Sequence, residues 1–242
     1  MPTAHQILGV WEKARTQTQV QRALTLLELA VPKQSAAELA RYSVGQRDRE
    51  LLALRERLFG PRLTGAAHCP VCREQIEVDF SVADITAEVA AATGSFHAME
   101  TGGYGLRFRL PDCGDLANVD ALEPGSDPSI RLLQRCVAEA HVNGDDVPVH
   151  ELPADVVTAL SLKMSELDPQ GDVQLALNCP SCGHRWTAPF DVASYLWIEI
   201  QSFATRMLRE VHLLASAYGW SEADILALSE PRRRAYLEIL QS

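Results

Sequence analysis

Two Cys-Pro-x-Cys knuckles, Cys69-Pro70-Val71-Cys72 and Cys179-Pro180-Ser181-Cys182, stand 110 residues apart and constrain this chain more than any other feature. Each is followed by the same short pattern. Behind the first, Ile76, Val78 and Phe80 alternate with polar residues and lead into Ser81-Val82-Ala83. Behind the second, Trp186, Ala188 and Phe190 hold the same offsets and lead into Asp191-Val192-Ala193. Such alternation predicts a half-buried strand. A turn that presents two sulfurs on one side supplies half of a tetrahedral metal site, and two such turns complete it. The expectation is one Zn2+ held by Cys69, Cys72, Cys179 and Cys182, structural because four thiolates leave no position open to water.

A continuous zinc ribbon keeps its knuckles about 15 to 20 residues apart. Here a whole subdomain intervenes, so the pattern predicts a split ribbon whose metal staples two distant segments and sets the register of their strands. The alternative, two unrelated reduced turns, requires the repeated proline, strand offsets and apolar triplets to coincide. His68 and His184 flank the knuckles and are expected to hydrogen-bond or face solvent rather than ligate. Cys113 and Cys136 are single, and the expectation for both is an inert, buried thiol. A thioredoxin-like use of either motif would need a helix at the motif, whereas both lead into strands.

The formal net charge of −10 disfavours nucleic acid, whose binding calls for a basic patch. The one dense basic run, Arg232-Arg233-Arg234, is expected to be a solvated helix face. No run approaches the roughly 18 to 20 apolar residues of a membrane helix. Met1 to Ala14 lacks a secretion-signal pattern, so the six cysteines are expected in a reducing cytoplasm, where paired Cys-x-x-Cys motifs favour metal over disulfide.

The predicted fold class is α+β, mostly helical, with a small antiparallel β-element forming the split ribbon. Residues 1–60 read as an N-terminal helical segment, with a capping box at Ser35 and Glu38 and an interruption at Gly45. Residues 61–112 carry the first knuckle and strands, including alternation over Tyr104 to Leu110. Residues 113–170 read as a helical insertion, with Ile130, Leu132, Leu133 and Val137 on one helix and turns at Glu123-Pro124-Gly125 and Asn143-Gly144. Residues 171–191 bring the second knuckle and its strand. Residues 192–242 are C-terminal helices, the longest running from Asp191 to Tyr218 and stopped by Gly219.

No catalytic set is visible: no phosphate-cradling glycine loop, no His-Glu-x-x-His and no Gly-x-Ser-x-Gly. Gly102-Gly103-Tyr104-Gly105 reads as a turn, and Asp145-Asp146 and Glu50, Arg55 and Glu56 as solvated charges. A non-enzymatic protein with no small-molecule substrate is expected.

The wording of the C-terminal segment carries a resemblance. Cys179-Pro180-x-Cys182-Gly183, Phe190-Asp191-Val192, Leu196-Trp197-x-Glu199-Ile200, Arg209-Glu210-Val211-His212, Tyr218-Gly219-Trp220-Ser221-Glu222 and Arg232-Arg233-x-Ala235-Tyr236-Leu237 together resemble the T4-family baseplate proteins and baseplate hub assembly chaperones. Longer members with such a knuckle occur with contractile injection systems. The likeness is dense over 179–240 and looser around Gly45-x-Arg47-Asp48. It implies a structural or assembly role, as particle component or hub chaperone, with baseplate, hub or spike proteins as partners, and a protein that is cytoplasmic or built into a phage-tail-like particle. Trp197, Tyr218, Trp220, Arg232 and Arg233 are candidate interface residues, the aromatics serving either as anchors or as C-terminal core. The alternative reading is a zinc-ribbon nucleic-acid or transcription-associated adaptor using Arg232 to Arg234. A metal-dependent hydrolase would need a metal with an exchangeable water.

Overall fold

Four helix starts in the first sixty residues use one device. Thr3, Thr18, Ser35 and Ser43 each accept an N–H three residues on, and Gln6, Gln21, Glu38 and Gln46 reach back to the cap's own N–H. These reciprocal capping boxes satisfy two orphan donors at each start and fix where each helix begins. They open α1 (Ala4–Ala14), α2 (Gln19–Ala30), α3 (Ala36–Leu39) and α4 (Val44–Phe59). The computed structural model describes residues 2–87, 95–120 and 127–241, so the turn read at Glu123-Pro124-Gly125 lies outside the described residues.

Gly45 does not interrupt a helix. It sits in the first turn of α4, where its N–H donates to Asp168 Oδ2 at 2.8 Å. A Cβ there would lie 1.9 Å from Asp168 Oδ1 and 2.9 Å from the Gly171 nitrogen, so close approach of the 168–171 segment is what requires glycine. The break falls between α3 and α4, at 40–43.

After α4 come β1 (Arg62–His68), β2 (Gln75–Ser81), α5 (Val82–Ile85), β3 (Phe96–Thr101), β4 (Tyr104–Arg109), α6 (Cys113–Asp120), α7 (Pro128–Cys136), β5 (Val137–Val142), β6 (Asp145–Asp146), α8 (Ala154–Leu167), β7 (Gln174–Asn178), β8 (Arg185–Pro189), α9 (Val192–Tyr218), α10 (Glu222–Ala227) and α11 (Glu230–Gln241). The class is α+β and mostly helical. Among the described residues the strands form three antiparallel sheets: the hairpins β1-β2 and β7-β8, and a four-stranded sheet β3-β4-β5-β6. The segment read as a helical insertion over 113–170 therefore contributes β5 and β6 to the sheet that β3 and β4 begin. Val137, read as the end of a helix, is the first residue of β5.

Two principal cores result. One gathers Ile7 of α1, Leu26 and Leu27 of α2, Leu51 and Leu54 of α4, Leu63 of β1, Val82 of α5, and Val192, Leu196 and Ile200 of α9. The other packs Leu106 and Phe108 of β4 against Leu133, Val137, Val156 and Leu160. Their junction is polar. Arg109 forks onto Asp115 at 2.5 and 2.9 Å and Arg135 adds a third contact at 2.8 Å, while Cys113 and Gly114 donate N–H groups to Tyr42 and Ala40 carbonyls. Burial works against the Asp115 charge, yet the Arg109 fork, the Asp112 N–H and Arg135 hold its pKa at about 2. Cys113 and Cys136 are buried, and that burial pushes their thiols up to about 11 and about 12, as suits inert core groups.

Candidate metal centre

Each knuckle is the turn of a hairpin. β1 pairs with β2 so that His68 faces Gln75, and β7 pairs with β8 so that Asn178 faces Arg185. The two turns are superposable in their bonding. Cys69 N–H donates to the Glu74 carbonyl and Arg73 N–H to the Cys69 carbonyl; Cys179 N–H donates to His184 and Gly183 N–H to Cys179, all at 2.9 Å. The residue after the second cysteine is left-handed in both, Arg73 at φ 62° and Gly183 at φ 72°. Glycine takes that conformation freely and arginine pays for it, so the second turn has the easier local sequence. The two hairpins pair only within themselves, β1 with β2 and β7 with β8, with no ladder between them.

The hairpin tips converge. The four cysteine sulfurs, separated by more than a hundred residues, lie within 4.8 Å of one another. The close pairs run crosswise, Cys69 to Cys182 at 3.6 Å and Cys72 to Cys179 at 3.5 Å. A tetrahedral centre with metal–sulfur bonds near 2.3 Å keeps its sulfurs about 3.8 Å apart, so the spacing fits a bound ion. In each knuckle the first cysteine is buried and the second exposed. Burial works against the Cys69 thiolate, but the N–H groups of Cys72 and Val71 hold its pKa down at about 7. The Glu74 N–H favours the Cys72 thiolate, but desolvation and the three neighbouring sulfurs push it up to about 12. A divalent cation held among the four sulfurs would favour the thiolate form of each. These four cysteines could hold a metal ion, and neither histidine joins them: His68 is exposed and His184 stacks on Trp186 at 5.9 Å.

Packing behind the tips repeats the reciprocity. Phe80 and Phe190, at the same offset from their knuckles, meet edge to face at 5.3 Å. Val82 and Val192 follow them into one core. Past those valines the units diverge, since α5 lasts four residues and α9 twenty-seven. Tyr195 ties α9 to the first hairpin, its hydroxyl donating to the Thr64 carbonyl at 2.9 Å and accepting the Thr64 N–H at 3.1 Å. Arg55, read as a solvated charge, is buried and forks onto Glu199 at 2.7 and 2.9 Å, joining α4 to α9. Sequence reasoning missed the Phe80–Phe190 contact, although their equal offset was the available signal.

The candidate interface residues separate. Trp197 is core, 7 % exposed, with the Arg22 guanidinium 4.5 Å over its ring. Tyr218, Trp220 and Tyr236 form a half-exposed trio with centroids 4.8 to 5.6 Å apart that pins α11 to the end of α9. Arg232 is exposed. Arg233 is not part of a solvated face: it is 5 % exposed and bonds Glu210 at 3.1 Å and the Leu228 carbonyl at 2.7 Å.

Compared with known families, residues 5–197 match the family model described as T4 bacteriophage base plate protein. The chain belongs to that family. The matched span takes in the N-terminal helices, both knuckles and the start of α9, whereas the resemblance read from the sequence was densest over 179–240, most of which lies beyond the match. Gly45-x-Arg47-Asp48, its looser part, falls well inside, where Arg47 and Asp48 form a buried ion pair at 2.7 Å. No curated protein and no solved structure matches this baseplate-family chain.

Proposed function

We propose that this baseplate-family protein is a non-catalytic structural or assembly protein of a contractile phage-tail-like particle, stapled by one Zn2+ on Cys69, Cys72, Cys179 and Cys182. The observation that carries the reading is the convergence of two knuckled hairpins, 110 residues apart in a chain of the baseplate family, into one four-sulfur cluster. Four thiolates in tetrahedral spacing suit Zn2+ or iron–sulfur chemistry, and Zn2+ needs no redox partner. With Cys69, Cys72, Cys179 and Cys182 filling every position, a bound ion would supply closure, joining the hairpins and leaving water no place to be activated. The first hairpin packs on α4 and α9 through Leu63 and the second runs on into α9, so a joint between them would fix the frame from which the helical surfaces face their partners.

The test is elemental analysis of the purified chain, followed by mass spectrometry of finished particles and of pull-downs from the producing host. One zinc per chain and hub, spike or wedge proteins in the pull-down are expected. Presence in finished particles then makes the protein a component, and absence from them an assembly chaperone. Iron in place of zinc would overturn the metal assignment. Recovery of polymerase or nucleic acid without tail proteins would favour the adaptor reading.

A further inference from the structure

We propose that the outward face of α9 is a docking surface for an acidic helix of a baseplate partner, an inference that rests on the baseplate reading above. Ile198, Ser202, Thr205, Arg209, His212 and Ser216 are all exposed, and they recur in alternating steps of four and three. That is the spacing with which one helix offers a seam to another, sustained here over about 27 Å. Apolar side chains mark the seam: Ile198 is 61 % exposed, and Leu213 and Leu208 flank it at 44 % and 37 %. Ser202 and Thr205 donate their hydroxyls back to the Ile198 and Gln201 carbonyls at 2.9 Å, leaving a low stretch where a second backbone can come close.

Charge names the occupant. The whole chain carries −10, yet among the described residues the exposed face of α9 carries no carboxylate of its own. The two acids of α9, Glu199 and Glu210, lie to the sides and are engaged by Arg55 and Arg233. Arg209 stands on the seam and Arg206 beside it, its guanidinium 5.5 Å over the Phe203 ring. A partner helix with carboxylates opposite these arginines and apolar residues opposite Ile198 and Leu213 satisfies every part of the face. A second copy docking α9 on α9 would bring the arginines together, and nucleic acid would leave the apolar positions unmatched while meeting an acidic chain. The family match ends at residue 197, so the seam begins just past the matched span.

The experiment places a photo-crosslinking amino acid at Thr205 of the full chain in the particle-producing host, with the crosslinked peptide sequenced by mass spectrometry. A crosslink to an acidic helical segment of a tail protein is expected. Arg206→Glu/Arg209→Glu should weaken it at least tenfold while leaving metal content and melting temperature unchanged. Crosslinks to nucleic acid, to a second copy, or to a segment without carboxylates would overturn the proposal, as would indifference to the charge reversal. Silence at Thr205 while tail proteins are still recovered in pull-downs overturns the docking surface alone. Absence of tail proteins from the pull-downs, together with absence of this chain from finished particles, overturns the baseplate reading itself.

Discussion

Gly45→Ala is the substitution on which sequence intuition and structure disagree most. Judged from helix propensity alone, alanine replacing glycine inside α4 should stabilise by up to about 1 kcal/mol. The structure predicts the opposite. The added methyl would stand 1.9 Å from Asp168 Oδ1, so Asp168 must move, and moving it breaks the 2.8 Å bond from the Gly45 N–H. A hydrogen bond to a buried charged group contributes about 1.5 to 3 kcal/mol, and overpacking costs about 1 to 3 kcal/mol more. Net of the propensity gain, the expected loss is about 3 kcal/mol. For a chain of this size that lowers the melting temperature by about 6 to 12 °C. Thermal unfolding followed by circular dichroism reads the single variant, and Asp168→Ala completes a double-mutant cycle. If the clash is the cause, removing the carboxylate makes room, and the double variant should be more stable than additivity predicts by over about 1 kcal/mol. A Gly45→Ala protein as stable as its parent, or strictly additive losses, would refute the reasoning. The position matters because the 168–171 segment lies just ahead of β7, so this contact ties the lead-in to the second hairpin to α4.

Three further outcomes are expected. Cys179→Ser should lose the metal and lower the melting temperature of the whole chain, read by elemental analysis and calorimetry together; a metal-replete, fully stable variant would sink the shared site. Arg233→Ala should cost about 1 to 3 kcal/mol by leaving Glu210 and the Leu228 carbonyl unpaired, whereas Arg232→Ala should stay within about 0.5 kcal/mol, both read by denaturant unfolding. The Asp115 carboxyl is held at about 2, below its ordinary 3.8, so its stabilisation is present above about pH 4 and is lost as pH falls towards 2. Asp115→Asn should therefore flatten the stability profile between pH 4 and 2, and an unchanged acid limb would refute this role.

The cysteine spacing and the strand alternation made β2, β8 and the four-sulfur cluster legible because both signals lie in local pattern. β1 escaped because Gly65, Ala66 and Ala67 give no apolar alternation; Leu63 alone is buried on it. β5 escaped because it follows α7 without a break and its second buried residue is only Ala140. Neither helix propensity nor charge pattern could reveal Gly45, Arg55 or Arg233, whose partners lie 123, 144 and 23 residues away. The Asp191-to-Gly219 helix was legible at both ends, since an aspartate cap and a left-handed glycine are local devices.

The reciprocal contacts of the hairpins, Cys69 with Cys182, Cys72 with Cys179 and Phe80 with Phe190, make each hairpin a surface that recognises its own kind. A self-complementary surface present twice in one chain can close on itself or exchange with a neighbour. Closure within the chain is favoured while the effective local concentration of the second hairpin, in the millimolar range for tethered segments, exceeds that of other copies. A high concentration of copies would erode that advantage, since an open cluster leaves both hairpins without their partner. On this geometry a chain whose hairpins have met offers no free knuckle to a second copy, and one opened at the cluster would offer two.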